Sequence, residues 1–517
     1  MKTSIKHLLI ILMSMVSAVV SAQSFTLDGL EYKVMEVGKC ELIACHSQAS
    51  TIQIPETVTY LWKQMSVVKI GESVFADNTT LENLTLPTTL ESIGAYAFKN
   101  CNGLKELILP DKLEFIRDYA FQNNQSLKEL ILPVSCKLAG DCVFEGVNMK
   151  IYTSGVTEAE KQMWDIIITN ECFSNAGIFS GASIRRAKVK RLAPSMFLDC
   201  ELLEHVKVER HPDDNQDYGI NIPHRAFSGC KSLKTVDSPP FAGIGSGAFY
   251  RTGLTSIELS EELKSIGIDA FAESQIQSID IPASVSRLER GAFRGAPLSK
   301  VTGCEGITYI GKRAFEGTTD LESIPYMPLL EELSPLAFMD SGIASFVFGP
   351  NFITENRGAY DLNINDKQFK NCTNLKELVC LCLPPLTKFK QYSEEDNAFA
   401  GCNVDFIDVH VPAGKWWEYQ QYYPWYNFKW YYDDAEEYLQ KYLAAGVEDV
   451  ESEQSVDAVS ITSSGVNVEY GIGKSIHVYD TMGRMCYSSR HYDGEDIPLG
   501  KGLYILTVDG KATKIKI

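Results

Sequence analysis

"IGAYAFKNCNGLKELILP" occupies Ile93–Pro110, and "IRDYAFQNNQSLKELILP" follows at Ile116–Pro133. The copies start 23 residues apart. Self-similarity at a fixed period of a few tens of residues marks a stacked-repeat architecture. Each copy has two halves, (I/L)-x-x-x-A-F and L-x-x-L-x-L-P. Phenylalanines trace the copies along the chain. Phe75, Phe98, Phe121 and Phe144 are each 23 apart; Phe197 and Phe227 follow an irregular stretch; Phe249, Phe271, Phe293 and Phe315 are each 22 apart; Phe338, Phe369 and Phe399 close the series.

Each slot has a physical reason. Strand side chains alternate, so Leu107 and Leu109 point inward and Ile108 outward. Pro110 lacks the N–H a ladder needs and ends the strand. Phe98 is a large plug for the wide end of the coil, and Ala97 leaves room for it. Gly71, Gly94, Gly245, Gly267 and Gly311 are assigned to turns of positive φ. One coil cannot bury its own apolar face, but stacked coils seal each other. The expected fold is a β-rich solenoid with one parallel sheet and irregular or short helical return segments, forming an elongated, curved array.

The chain has 517 residues, 45% apolar and 22% charged, with a formal net charge of −19. That is ordinary folded-protein composition over more than one core's length. The acidity opposes phosphate backbones and anionic lipid, so nucleic acid is not an expected partner. The basic run "RRAKVKR" (Arg185–Arg191) reads as a solvated strand edge, with an anion site as the alternative. Residues 1–22 read as a signal peptide: Lys2 and Lys6, then the apolar run Leu8–Val20, then small residues up to Ala22. No later run is long and apolar enough to suggest a membrane span.

Fourteen cysteines in an exported chain would ordinarily suggest disulfides. Their spacing argues otherwise. Cys101, Cys200, Cys230, Cys372 and Cys402 each fall three residues after a repeat phenylalanine, so they share one slot and read as small core residues. Cys380 and Cys382 share a strand face. A Cys40–Cys45 bridge across a tight hairpin stays open. No C-x-x-C pair is present, which argues against a zinc ribbon.

The pattern I-G-x-x-A-F-x-x-C-x-x-L-x-x-L-x-L-P resembles the BspA-type leucine-rich repeat of bacterial surface proteins, over about Ile52–Phe428. "IQIPETVTYLWKQMSVVKIGESVF" (Ile52–Phe75) is similar to that family's opening segment. "VHVPAGKWWEYQQYYPWYNFKW" (Val409–Trp430) is similar to its closing one, with Trp425 and Phe428 as the cap. The aromatics of the closing stretch read as a hydrophobic cap. A sugar-stacking platform is the alternative, with Trp416 and Tyr426 as surplus exposed rings. The resemblance implies adhesion to extracellular proteins or to other cells.

Three coils run long. "TEAEKQMWDIIITN" (Thr157–Asn170) has the spacing of a short helix opened by an N-cap. "VERHPDDNQDYGINIP" (Val208–Pro223) and "NFITENRGAYDLNINDKQF" (Asn351–Phe369) read as edge loops, sites either of recognition or of tolerated insertion. Beyond an acidic linker, the last sixty or so residues alternate in the manner of a small antiparallel β-sandwich, with a hairpin across Met482–Gly483. "IHVYDTMGRMCYS" (Ile476–Ser488) and "IPLGKGLYILTVDGKATKIKI" (Ile497–Ile517) resemble the C-terminal sorting domain of the type IX secretion route. That implies an outer-surface export machinery as partner, with cleavage of the tail as one outcome. The expected organisation is 1–22 signal peptide, 23–66 N-terminal cap, 67–412 solenoid, 413–443 aromatic cap, 444–456 linker and 457–517 sorting-like domain.

Enzyme motifs are sparse. The histidines are scattered and none forms H-E-x-x-H. "GIGKS" (Gly471–Ser475) has Val468 where a phosphate loop needs its first glycine. Asp213 and Asp214 read as solvated charge, and no full calcium loop is present. The sequence therefore reads as a non-catalytic recognition protein with no cofactor and no metal, secreted or on the outer cell surface. Its ligand is expected to be an extracellular protein, or alternatively a glycan captured by the aromatic cap and loops. The outward strand positions are the candidate binding residues: Thr85, Ile108 and Ile131 early; Lys207, Asp237, Glu258 and Asp280 in the middle; Val347, Val379 and Asp408 late. Ile108, Ile131, Val347 and Val379 are expected to be exposed apolar points, alongside Trp416 and Tyr426 on the cap.

Overall fold

The computed structural model describes residues 24–36, 38–138, 140–168, 176–209, 220–237, 241–352, 367–382, 384, 397–422 and 424–446, and in the tail 459–461, 466–468, 476–480, 485–489, 493–499, 503–508 and 511–516. The expected signal peptide, most of both polar edge loops, the linker, the Gly471–Ser475 run and the Met482–Gly483 turn lie outside the described residues. The chain divides into two compact units, Met1–Phe241 with Gly245–Leu254, and Ala242–Ile244 with Thr255–Ile517.

The first unit opens with antiparallel strands β1 (Ser24–Leu27), β2 (Leu30–Glu36) and β3 (Lys39–Cys45). β4 (Thr51–Gln53) pairs in parallel with Asn83–Thr85 in a two-stranded sheet, from which a single bridge runs on from Asn83 to Glu106. The hairpin of β5 (Thr57–Tyr60) and β6 (Lys63–Ile70) follows, and β6 pairs in parallel with β3 and with Ser92–Ile93. Cys40 and Cys45 both lie on β3, so no hairpin separates them and the bridge left open by the sequence is ruled out. Further along, Glu129–Leu132, Lys150–Thr153, Ile166–Ile168, Arg186–Val189, His205–Val208 and Thr235–Asp237 form a parallel sheet, one strand per coil.

Within each unit the phenylalanines stack in a column. From Phe75 to Phe249 successive ring centroids are 5.3–5.8 Å apart and the planes lie within 18° of parallel. In the second unit the column runs from Phe271 through Phe293, Phe315, Phe338 and Phe369 to Phe399. Backbone bonds join the same turns, as where Phe98 N–H donates to Ala120 O at 2.8 Å. Phe179 is a member that the spacing concealed, seated between Phe144 and Phe197.

The glycines assigned to positive φ turn out to serve another need. A Cβ on Gly94 would lie 2.5 Å from the carbonyl carbon of Gly71, and one on Gly311 2.7 Å from the Arg290 nitrogen. Neither glycine is left-handed; both let adjacent coils approach. The left-handed residues instead bracket the column phenylalanines from Phe75 to Phe369 by two on either side, as Tyr96 and Asn100 do around Phe98.

The cysteine slot also proves more specific than a small apolar filler. Cys101 Sγ donates to Phe75 O at 2.9 Å, and Cys200, Cys230, Cys372 and Cys402 make the same bond to the phenylalanine carbonyl of the preceding coil. Asn124 occupies the equivalent position and donates Nδ2–H to Phe98 O at 2.7 Å. Where the slot carries cysteine or asparagine it adds a buried donor to a phenylalanine carbonyl, whereas Val147, Ala182 and Ala296 fill it with apolar groups alone.

In the second unit, Ser345–Phe348, Glu377–Cys380, Asp408–His410 and Trp430–Tyr432 pair in parallel. The phenylalanine column then ends. Trp425 and Phe428 meet Phe399 edge-on, at 72° and 87°, so no further ring can stack. In the tail, Val459–Ile461 pairs antiparallel with Val466–Val468. A four-stranded antiparallel sheet runs in the order Met485–Ser489, Ile476–Asp480, Leu503–Val508, Lys511–Lys516. Val466, Val468, Ile476, Val478, Ile497 and Leu506 form its core.

Candidate functional site: the outer face of the broad sheet

In the first unit, the register aligns Ile131 with Tyr152, Ile167, Lys188, Lys207 and Asp237 in one outward row. Two of these residues are covered. α1 (Glu158–Met163) is opened by a capping box between Thr157 and Glu160, as the sequence anticipates. It stops six residues in, however, because Ile166–Ile168 is taken up as a strand. Tyr152 is buried and its hydroxyl donates to Trp164 O at 2.9 Å, while the Lys161 ammonium stands 5.5 Å over its ring. Ile167 is buried beside it. Lys161 pairs with Glu129 at 3.2 Å, and Lys188 pairs with Glu160 and Glu209 at 3.1 Å each.

Those pairs account for much of the basic run. Arg185 meets Glu204 at 2.9 Å, and Arg186 donates to Gln162 O. Residues 186–189 form an interior strand rather than the expected sheet edge.

The late coils are also covered. α2 (Trp416–Tyr419) belongs to the cap, and α3 (Ala435–Gly446) follows it. α3 sets Ala435 and Leu439 against Tyr326, Val347, Val379 and Leu381. Val347 is only 4% exposed. The expectation that Val347 and Val379 stand free on the sheet is therefore overturned: an amphipathic helix lies on them and completes a second small core. His410 is buried at the edge of this contact. Its Nδ1 donates to Asp434 Oδ1 at 2.7 Å, and its ring stacks between Tyr432 and Tyr438.

The early coils have no such cover. Ile108 is 85% exposed but, against expectation, lies outside any strand, two residues past the bridge at Glu106; Ile131, one repeat on and within its strand, is 44% exposed, and Thr85 is exposed as well. Asp237 is exposed on its strand in the first unit. In the second unit Glu258 is exposed outside any strand, and Asp280 is exposed and accepts a bond from Thr302 Oγ1 at 2.6 Å.

The closing aromatics divide by role. Trp425, Tyr419 and Phe428 are buried and seal the column. Trp416, Trp417, Tyr422, Tyr426, Trp430 and Tyr432 are exposed. Phe406, which the sequence reading did not single out, is exposed beside them in chain order.

On the other side of the first unit's coils, Glu41, Lys69, Glu91, Glu114, Phe115 and Arg117 line a groove of about 470 Å³. Lys69 is tied to Glu41 at 2.8 Å and Lys39 to Glu91 at 3.3 Å. No group of three or more His, Cys, Asp or Glu arranged to hold a metal occurs among the described residues. Burial pushes the column thiols up, Cys101 and Cys200 to about 12, which makes them poor nucleophiles at neutral pH. No described helix is long and apolar enough to cross a membrane.

Parallel strands one per coil, a stacked phenylalanine column and an aromatic end cap together define a leucine-rich repeat protein. The model of the BspA type leucine rich repeat region matches residues 45–163, 166–239 and 220–345, more than half of the chain, and the chain belongs to that family. Among solved structures it is similar to a leucine-rich repeat protein from Bacteroides ovatus, with 19% identity, TM-score 0.46, and 78% of this chain and 99% of that one covered. A leucine rich cell surface protein from Faecalibacterium prausnitzii has 20% identity and TM-score 0.33, covering 58% and 94%. The pneumococcal vaccine antigen PcpA has 18% identity and TM-score 0.32, covering 77% and 96%. No curated protein is significantly similar to the chain.

Proposed function

We propose that the chain is a non-catalytic recognition protein, secreted or displayed on the outer cell surface, that binds extracellular protein through the uncovered part of its sheet. One contrast carries this reading. The outward apolar residues Tyr152, Ile167, Val347 and Val379 are buried, whereas Ile108 is left 85% exposed. A fold that covers such residues elsewhere and leaves these bare has a surface fitted for a partner. In the first unit Ile108 and Ile131 form the apolar part of the site, with Thr85 and Asp237 as its polar positions; in the second unit Glu258 and Asp280 independently favour a basic or polar ligand. The test is binding of the mature chain to a panel of immobilised extracellular-matrix proteins, repeated with Ile108→Asp and Ile131→Asp. A tenfold or greater loss with both supports the face; undiminished binding sinks it.

A second reading, capture of a glycan, is favoured by the exposed Trp416, Tyr426 and Trp430 on the cap. Retention of the Ile108→Asp variant on a glycan array, with loss in Trp416→Ala and Trp430→Ala, would select it. The antiparallel tail acts, in this proposal, as the address read by an outer-surface export machinery. C-terminal mass spectrometry of exported protein tests whether that tail is removed.

A further inference from the structure

Coils of the first unit close their descending arm with a short link. Leu90 N–H donates to Pro87 O at 3.1 Å and Leu113 N–H to Pro110 O at 3.0 Å, each across two residues. In the first coil the β5–β6 hairpin stands in place of that link, and its ladder, with Thr57 opposite Ser66, continues into the bond from Val67 N–H to Glu56 O at 3.0 Å. The base of that hairpin is built into the core, with Val58 and Met65 buried and Ser66 paired with Lys39 of β3, whereas its tip is exposed.

Its tip is chemically anomalous. Tyr60 pairs with Lys63, leaving Leu61 and Trp62 as a two-residue turn with φ +45° and +58°. Left-handed backbone at both positions is the hairpin geometry that selects Asn-Gly or Asp-Gly. The β1–β2 hairpin of the same unit obeys that rule, with Asp28 and Gly29 at +51° and +76°. At the second hairpin the two strained positions carry large apolar side chains, 55% and 88% exposed; Trp62 is the most exposed large apolar side chain among the described residues. Strain and exposed apolar surface both work against folding. Their coincidence at the exposed tip of an otherwise well-packed hairpin indicates a contact made outside the chain.

We propose that the Leu61–Trp62 tip is a lipid-surface contact, inserting into the headgroup layer of a zwitterionic, phosphocholine-bearing bilayer. The tip is convex and cradles nothing, so its partner must yield around it, as a bilayer interface does without a preformed pocket. Tryptophan favours that interface, and the exposed Lys63 beside it reaches to phosphate along its own apolar stem. An indole face attracts the quaternary ammonium of choline while Lys63 meets the phosphate, so the pair matches both charges of the headgroup. The net charge of −19 turns the chain away from anionic lipid. A Trp–Leu pair without a basic patch gives reversible contact rather than a stable anchor.

The test is flotation of the mature full-length chain with phosphatidylcholine vesicles and, separately, phosphatidylglycerol vesicles. The variants are Leu61→Asn with Trp62→Gly, which makes the turn orthodox, and Trp62→Phe. We expect wild type to partition onto phosphatidylcholine, the double variant at least tenfold less, and Trp62→Phe to an intermediate extent. The double variant should also melt higher by about 2–4 °C, showing that the loss is not misfolding. Equal partition of wild type and double variant, no gain in melting temperature, preference for phosphatidylglycerol, or a wild type that ignores vesicles because its tip serves a protein pocket would each overturn the proposal. The sheet-face variants Ile108→Asp and Ile131→Asp leave vesicle partition unchanged, so this site and the sheet face fail or survive separately.

Discussion

Asn124 Nδ2 donates to the carbonyl of Phe98 at 2.7 Å, across the boundary between two coils. Cys101 makes the same bond to Phe75 with a sulfur donor. Residues as unlike as asparagine and cysteine thus do one job, which sets an ordering for substitutions. Asn124→Ala removes the Nδ2 bonds to Phe98 O and Phe121 O, leaving Phe98 O only the 3.3 Å bond from Cys101 N–H, and costs about 1–3 kcal/mol. Asn124→Cys restores a donor and recovers part of that loss. Denaturant midpoints of the two variants check the order; an alanine as stable as the cysteine would show that the bond contributes nothing.

Phe179 should behave as a full member of the column despite its hidden spacing. Phe179→Ala and Phe98→Ala are each expected to cost about 3–5 kcal/mol, since both rings are buried between two others. Calorimetry of the pair reads this directly.

The thiols give a pH prediction. Cys101 and Cys200, raised from about 9 to about 12, stay protonated in the fold when the unfolded chain begins to ionise. Their contribution is whole below pH 9 and is lost as pH rises from about 9 to about 12. At pH 8 native protein should therefore label with a thiol reagent at the exposed Cys486 well before the column cysteines, all of which react after denaturation. Peptide mapping after a timed pulse identifies the sites.

The two kinds of outward residue are separable by charge. Ile108→Asp changes stability by no more than about 0.5 kcal/mol, because its side chain stays in water. Val347→Asp buries a charge under α3 and costs about 3–5 kcal/mol. Leu439→Ala, on the covering helix, costs about 2–5 kcal/mol. Similar costs for Ile108→Asp and Val347→Asp would mean that α3 does not cover the late coils.

The column was legible because a repeated slot announces itself: the spacing of Phe75, Phe98 and Phe121 is a property of the one-dimensional chain. Phe179 escaped because it lies 35 residues after Phe144 and 18 before Phe197, off the step of 22 or 23, and because neither it nor those neighbours has the preceding alanine, although Gly177 and Gly181 bracket it as left-handed residues do elsewhere. The cysteine slot was placed correctly but its chemistry was not, since spacing reveals burial and not hydrogen bonding. Covering helices are harder still. The outward Val347 and the inward Leu378 obey one alternation rule, and only the position of α3 distinguishes a bare face from a covered one. Ala435, Tyr438 and Leu439 do recur at helical spacing, a signal obscured by the aromatic stretch before it. The Leu61–Trp62 turn was invisible for the opposite reason: nothing in its residue types suggests left-handed backbone.

The phenylalanine column has one more consequence, for how such a chain changes length. Within a unit, interior rings meet a like ring above and below, and the cysteine and Asn124 slots each reach a carbonyl in the preceding coil. A whole coil can therefore be duplicated or excised within a unit, and the severed faces will match. A cut of any other length would set a strand against a turn. The array is editable in steps of one coil, so its reach can drift over generations while the ends that terminate it stay the same.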